Sequence, residues 1–292
     1  MMRFIFAYFL LISPIGYAKP IQVVASFSIL ADLVKQVGQD HVAIDTIVGR
    51  NGDAHVYEPT PQDMKQLAAA DMVFINGLGF EGWIARLIQA SGFKGTTIVA
   101  TSNIHPRLVF EGKLVEDPHA WHSIPNIIVY IHNIRDGLIK HDPARKDDYE
   151  KNAEAYIQKL NVLDAEMRAA LAKISPHQRK IITAHDAFGY FGNSYGIEFL
   201  APIGTNTESE PCAQDMVKLI KAIRQYGVKT IFLENIANPK LIEQLAHETN
   251  AKVGDVLYSD ALSELDGPAA TYEAMVRYNF RLFVRAMAEM EK

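Results

Sequence analysis

The chain has 292 residues, of which 49% are hydrophobic and 22% charged, and its formal net charge is −5 at pH 7. A chain of this length and balance is typical of a globular protein with two domains and more than one core. Because no basic block or basic amphipathic stripe offsets the negative charge, binding to nucleic acid or to an anionic membrane surface is not expected. The expected partner is small or cationic.

The first 18 residues predict a secretory signal peptide. "MMR" supplies a basic start, "FIFAYFLLISPI" a short apolar core, and Gly16 and Ala18 the small residues before a cleavage point after Ala18. The apolar run is shorter than the roughly 20 residues of a membrane-spanning helix. No cysteine near the cleavage point offers an attachment site for a lipid anchor, so we predict an exported protein without direct membrane insertion.

A single cysteine, Cys212, limits the chemistry of the chain. It allows no internal disulfide and no thiolate cluster. Any metal site must therefore be built from histidine, aspartate and glutamate.

Two α/β units are predicted from the alternation of apolar segments with helical patterns. The segments before residue 100 are "IQVVASF", "VAIDTIVG", "DMVFING" and "TTIVA". After residue 178 the alternation returns with "KIITAH", "IEFLAPIG", "KTIFLEN" and "KVGDVLY". This pattern is typical of β-α units with largely parallel sheets.

A glycine-free stretch from about residue 142 to 173 lies between these units. Its apolar residues recur at helical spacing: Tyr149, Ala153, Tyr156, Ile157, Leu160, Leu163, Met167 and Leu171. The spacing predicts one amphipathic helix of about 30 residues and about 45 Å that bridges the two units, or else a packing helix of the first unit. The predicted organisation is a signal peptide (1–18), an N-terminal lobe (19–141), a linking helix (142–174) and a C-terminal lobe (175–292).

Four side chains that can bind metal follow predicted strands or stand in loops between elements. They are His55, His119, His185 and Asp260. Ligands of open parallel sheets gather beyond the carboxyl ends of the strands, so these four residues are expected to converge. Thr60 to Asp63 predict a helix start behind His55, but capping requires no histidine.

Three imidazoles and one carboxylate predict a site for a divalent cation. Two alternatives stay open within this set. His122, three residues after His119, is a rival ligand, and Asp186 is able to replace or support His185. Trp121 is interpreted as a packing residue.

Five motifs, "DAHVYEPTP", "DPHAWHS", "TAHDAFGYFGNSYGI", "TESEP" and "LYSDALS", occur in this order along the chain. With them the chain resembles the metal-specific solute-binding proteins of bacterial ABC importers, the zinc- and manganese-binding cluster, over essentially the whole mature sequence. The resemblance implies a metal held in the cleft between two α/β lobes that one long rigid helix joins. It also implies a periplasmic location, a membrane permease as partner, and His55, His119, His185 and Asp260 as the ligands.

Zn²⁺ is the favoured ion from the sequence, and Mn²⁺ is a close alternative. Three imidazoles favour zinc in the Irving–Williams order. Zinc-type members of the family usually carry a histidine-rich loop before the second ligand and some have a disulfide, whereas this loop has only His105. Manganese-type members often place a glutamate where this chain has His185.

Glu208 and Glu234 are predicted as possible partners of the ligating imidazoles, since such rings commonly donate their second N–H to a carboxylate. Glu234 is equally interpretable as a buried acid that caps a loop, and "TESEP" as a turn before a helix.

The sequence thus predicts a monomeric transport protein that captures one divalent transition-metal ion and passes it to a permease, and not an enzyme. A zinc-dependent hydrolase is the alternative from another class, but the chain has no H-E-x-x-H motif and no nucleophile elbow. Four protein ligands would also fill a tetrahedral ion and leave no position for water. A metal-binding adhesin of the same fold is a further alternative.

Overall fold

The structure is a computed structural model that describes residues 19–208 and 213–291. The predicted signal peptide and residues 209–212, which include the end of "TESEP", lie outside the described residues. Among the described residues, no helix combines the length and hydropathy that crossing a membrane requires.

The first lobe is built on a four-stranded parallel sheet. Its strands are β1 (Ile21–Phe27), β2 (Val42–Val48), β3 (Met72–Ile75) and β4 (Thr96–Val99), with helices α1 (Ser28–Gly38), α2 (Pro61–Ala69) and α3 (Ile84–Ser91) between them. The strand order is β2-β1-β3-β4. Central strand β1 is buried along almost its whole length, because helices cover both faces of a parallel sheet. All four predicted strands are confirmed.

A small antiparallel hairpin extends from the first lobe and was not predicted from the sequence. It pairs β5 (Leu108–Phe110) with β6 (Leu114–Glu116). Gly112 in its turn has a φ of 75°, a left-handed conformation that favours glycine. The hairpin lies beside the loops that carry the predicted ligands.

The second lobe is built on a second four-stranded parallel sheet. Its elements are β7 (Lys180–Ile182), α6 (Gly189–Tyr195), β8 (Glu198–Leu200), α7 (Ala213–Tyr226), β9 (Thr230–Glu234), α8 (Lys240–Thr249) and β10 (Lys252–Leu257). The strand order is β10-β9-β7-β8, and every pair is parallel. The four strands predicted after residue 178 are therefore confirmed.

Long helices connect the two sheets. They are α4 (Ile124–His141), α5 (Lys146–Leu171) and the C-terminal α9 (Tyr272–Ala288). Helix α5 has 26 residues, about 39 Å at 1.5 Å per residue, and begins after a 3-10 turn at Pro143–Arg145 rather than at residue 142. Its buried face consists of the same eight residues that the helical spacing predicts.

Helix α5 contacts α1 of the first lobe and also α9, which packs on β7 and β10 of the second lobe. One continuous apolar core follows this path from the first sheet through α5 and α9 to α6. A second, smaller core lies within the second lobe, around Ile231, Ile242 and Leu245. The lobes are thus joined by packed helices, and the predicted domain limits at residues 141 and 174 stay a prediction.

Candidate metal centre

The four predicted ligands come together where loops of both lobes meet. His55 lies in the loop between β2 and α2, and His119 precedes a 3-10 turn at Ala120–His122. His185 follows β7, and Asp260 follows β10. One ligand atom from each residue lies within 4.8 Å of the ligand atoms of the other three.

The separations between these atoms match a single small cation. His119 Nε2 lies 3.3 Å from His55 Nε2 and 3.3 Å from His185 Nε2. Asp260 Oδ2 lies 3.1 Å from His55 Nε2 and 3.2 Å from His185 Nε2. In a tetrahedral site with metal–nitrogen bonds of about 2.0–2.1 Å, neighbouring ligand atoms are about 3.3 Å apart. These four separations allow all four atoms to bind one shared ion, and His119 Nε2 lies 3.7 Å from the other oxygen of Asp260, Oδ1.

Burial leaves the carboxylate of Asp260 without ordinary partners. The side chain of His55 is 2% exposed, and those of His119, His185 and Asp260 are 0% exposed. Within the described chain, neither oxygen of Asp260 has a hydrogen bond of normal geometry. A buried carboxylate that faces three imidazole nitrogens and no other donor is suited to a cation.

The charges of the site control its protonation. Burial alone would lower the pKa of His119, but the charges of Asp260 and Asp117 raise it to about 9. Burial also opposes the charged form of His185, yet Glu234 and Asp260 raise its pKa well above the usual range. Burial would raise the pKa of Asp260, but His185 and His119 hold it well below that of a free carboxyl. Both shifts favour the protonated rings while no cation is bound, so an ion that binds here competes with protons.

His55 differs from the other two histidines. Burial lowers its pKa, and the adjacent Asp260 offsets this only in part. Its ring packs edge-on against Phe80, with ring centroids 4.8 Å apart. Trp83 Nε1 donates a hydrogen bond of 2.8 Å to the carbonyl of Ala54. These contacts fix the position of the His55 ring, and its lowered pKa favours the neutral form.

The helix behind His55 begins as predicted. Thr60 and Asp63 form a reciprocal capping box, and Pro61 is the first residue of α2. The Asp63 carboxylate accepts hydrogen bonds from the Thr60 backbone N–H at 2.6 Å and from the Tyr57 hydroxyl at 2.9 Å. The cap therefore fixes the end of the loop that presents His55.

Two buried carboxylates lie behind the imidazoles. Glu234 Oε1 accepts the backbone N–H groups of Ala184 and His185 at 2.8 and 3.0 Å, and its Oε2 lies 2.5 Å from His185 Nδ1 at an angle outside the hydrogen-bond range. Asp117 Oδ1 lies 2.8 Å from His119 Nδ1. Such contacts direct Nε2 of each ring towards the centre. Glu234 thus caps the loop at His185, and its role as a partner of a ligating ring stays a prediction. Asp117 was missed although "DPH" places an acid two residues before a predicted ligand.

The rival residues lie elsewhere. His122 is buried with its ring centroid 4.4 Å from that of Phe188, and burial lowers its pKa to about 3. Asp186 pairs with Arg107 at 3.3 Å. Glu208 is exposed, and its backbone N–H donates to Asn206 Oδ1 at 2.8 Å. None of the three belongs to the cluster found among the described residues, and a role for Glu208 stays a prediction.

Two parallel-sheet lobes around a buried site of three histidines and one aspartate define a class of metal-binding solute-binding proteins. Comparison with known proteins supports this assignment to a class. The sequence profile of ZnuA, described as zinc-uptake complex component A, periplasmic, matches residues 23–286. The chain belongs to this family, which confirms the resemblance read from its motifs. Members of the family are components of transporters.

The names of individual relatives refer to different metals. The iron-binding protein YfeA of Yersinia pestis is 34% identical over 268 residues, 90% of this chain and 85% of the relative. The manganese ABC transporter substrate-binding lipoprotein PsaA of Streptococcus pneumoniae is 32% identical over 267 residues, 89% of this chain and 86% of the relative.

Solved structures share the whole architecture. The periplasmic zinc-binding protein TroA of Treponema pallidum has a TM-score of 0.86 and 30% identity, covering 92% of this chain and 99% of that one. The Mn-bound periplasmic metal-binding protein of Candidatus Liberibacter asiaticus has a TM-score of 0.83 and 32% identity, covering 92% of this chain and 100% of that one.

Proposed function

We propose that this protein captures one divalent transition-metal ion outside the cytoplasm and delivers it to the membrane permease of an ABC importer. The ligands are His55, His119, His185 and Asp260. The observation that carries the proposal is the convergence of four buried ligand atoms, within 4.8 Å of one another, around a carboxylate that lacks other donors. Family membership supports the transport role.

The same geometry argues against the hydrolase alternative. A catalytic zinc ion keeps a coordination position open for water, usually beside a general base. Here four protein ligand atoms converge within 4.8 Å of one another, and the four side chains are at most 2% exposed, so the site is closed to bulk water. No described feature favours the adhesin alternative. Because one chain supplies all four ligands, a monomer suffices.

The proposed location rests on relatives whose names include both periplasmic binding proteins and lipoproteins. We propose an exported protein that works on the outer side of the cytoplasmic membrane. The prediction that it carries no lipid anchor concerns residues outside the described part of the chain and stays a prediction.

Metal content is the direct test of this function. Protein purified without added metal, or reloaded after chelation, is expected to hold one divalent ion per chain, because the four ligands converge on one point. Elemental analysis and equilibrium titration measure this ratio. Two tight ions per monomer, or metal-dependent ester or peptide hydrolysis that survives repurification, would contradict the proposal.

Zinc is expected to bind more tightly than manganese. The reason is the Irving–Williams order at a site with three imidazoles. Manganese is the close alternative, and it prefers more oxygen donors. Both oxygens of Asp260 face the site, Oδ1 at 3.7 Å and Oδ2 at 3.1 Å from the nearest ligand nitrogens, so Asp260 is able to act as a bidentate ligand.

A competition titration measures this preference, starting from zinc-loaded protein and adding manganese. Less than half of the zinc should be displaced at equal total concentrations. Displacement of most of the zinc would mean that the ligand set or its geometry differs from the one proposed. Growth rescue of an importer mutant by zinc or manganese then identifies the ion that cells take up.

A further inference from the structure

The two ligand loops of the first lobe share a feature that metal coordination does not require. Each has an aspartate two residues before the histidine, in "DAH" and in "DPH". Asp53 Oδ1 accepts the backbone N–H of His55 at 2.9 Å, and Asp117 Oδ1 accepts the backbone N–H of His119 at 3.0 Å. Both aspartates thus close the same local turn around a ligand.

The second oxygen of each aspartate takes part in a contact with the second lobe, directly for Asp53 and through Arg107 for Asp117. Asp53 Oδ2 accepts a hydrogen bond of 2.7 Å from the hydroxyl of Thr207, which lies between β8 and α7. Asp117 Oδ2 accepts a hydrogen bond of 2.7 Å from Arg107 Nη1. Arg107 Nη1 and Nη2 each lie 3.3 Å from Asp186 Oδ2, and Asp186 directly follows the ligand His185.

Arg107 is held in place by hydrogen bonds and by close packing against the second lobe. Its backbone N–H donates to the Tyr190 hydroxyl at 2.8 Å, and that hydroxyl donates to the carbonyl of Asp117 at 2.9 Å. A Cβ atom at Gly189 would lie 2.1 Å from Arg107 Nη1, so the glycine makes room for the guanidinium. The contact between Arg107 and the second lobe therefore depends on the close approach of α6.

We propose that Asp53 and Asp117 are positioning residues that couple the ligand loops of His55 and His119 to the second lobe, and so slow the release of the bound ion. This inference rests on the proposed function. When the lobes are together, each aspartate holds a ligand loop with one oxygen, and its other oxygen contacts the second lobe, directly through Thr207 for Asp53 and by way of Arg107 for Asp117. When the contact across the lobes is lost, the aspartate no longer ties its ligand loop to the second lobe. The ion is then released as the lobes separate.

The chain contains a matched contact that lacks the link to a ligand. Thr205, two residues before Thr207, donates its hydroxyl to Glu111 Oε1 at 3.0 Å and its backbone N–H to the same oxygen at 2.6 Å. Glu111 belongs to the turn of the β5–β6 hairpin and not to a ligand loop. The Thr205 hydroxyl therefore makes the same kind of contact across the lobes as that of Thr207, without contacting the turn of a ligand.

The test compares Thr207→Val with Thr205→Val in zinc-loaded protein. Zinc release into excess chelator is followed by stopped flow. Thr207→Val is expected to release zinc roughly 10-fold faster, the lower end of the effect of removing a contact behind a metal ligand. Thr205→Val should stay within about 2-fold of the parent protein, well under that range. Thr207→Ser, which keeps the hydroxyl, should restore the parent rate.

Each other outcome overturns the proposal. Equal acceleration by both valine variants would mean that the contacts only hold the lobes together, and unchanged release in Thr207→Val would mean that Asp53 is not coupled to the second lobe. If the parent protein itself fails to bind one zinc ion, the proposed function fails, which is a different result from an unchanged release rate.

A second variant tests the other loop independently. Asp186→Ala removes the contact of the Arg107 guanidinium with the second lobe, and it leaves the bonds of Arg107 to Asp117 and, through its backbone N–H, to Tyr190. Its zinc release is expected to be roughly 10-fold faster than that of the parent protein, with the stoichiometry unchanged. Glu166→Ala is the control, because it removes the 2.6 Å pair with Arg277 between α5 and α9, away from the ligands. Similar rates in both variants would contradict the coupling through Asp117.

Discussion

His119→Ala is expected to lower the affinity for zinc by more than 100-fold while the metal-free protein stays folded. His119 Nε2 is within 3.3 Å of the ligand nitrogens of both other histidines, so its loss opens the centre of the site. Removal of a group behind a ligand typically costs 10- to 100-fold in metal affinity, and removal of a ligand itself costs more. Competition against a chromophoric chelator measures the affinity, and circular dichroism checks the fold.

His122→Phe is the matched control for this prediction. His122 lies three residues further on, is also buried, and packs against Phe188. Burial lowers its pKa to about 3, so it is neutral and a phenyl ring replaces its packing without removing a charge. Zinc affinity should be unchanged. A loss as large as that of His119→Ala would place the ligand of this loop at residue 122. We expect His55→Ala and His185→Ala to behave like His119→Ala.

The sequence predicted those parts of the fold that follow from a local period. The buried face of α5, from Tyr149 to Leu171, agrees residue by residue, because helical spacing alone decides which side chains share a face. The β5–β6 hairpin was missed since its strands have three residues each, too few for a period. Gly112, in "EGK" between "LVF" and "LVE", was the available signal.

The sequence also predicted that these four side chains converge, because the ends of parallel strands share one edge of a sheet. It could not predict the residues that act through contacts across the lobes. Arg107 contacts Asp186, which is 79 positions further along the chain, and Asp53 contacts Thr207, which is 154 positions further along. Asp53 and Asp117 were predictable from the sequence, since an acid two residues before a histidine is able to accept a hydrogen bond from the backbone N–H of that histidine.

Acidification is expected to weaken ion binding over a wider pH range than free histidines would allow. From a pKa near roughly 6.5, the sequence alone predicts competition by protons only below that pH. In the structure the charges of Asp260 and Asp117 outweigh burial and raise the pKa of His119 to about 9, and that of His185 is also raised. Only the neutral ring binds metal, so protons compete up to about pH 9.

The sign and size of the effect follow from the number of protons displaced. Between pH 6.5 and 9 the metal-free site holds protons that the ion must displace, so zinc affinity should rise with pH by about tenfold per unit for each proton released. His55, with its lowered pKa, and Asp260, anionic throughout, add no proton in this range. Calorimetric titration in buffers of different ionisation enthalpy counts the protons, and chelator competition at each pH gives the affinity.

Asp117→Asn tests whether the charge of Asp117 contributes to this pH dependence. It removes one of the two charges that raise the pKa of His119 and leaves all four ligands in place. The part of the rise that comes from His119 should then end at a lower pH than in the parent protein. If the parent protein releases no protons on binding zinc at pH 7.5, and its affinity is constant above pH 7, the imidazoles are not protonated in the metal-free site. The electrostatic account of the site would then be wrong even if all four ligands are correct.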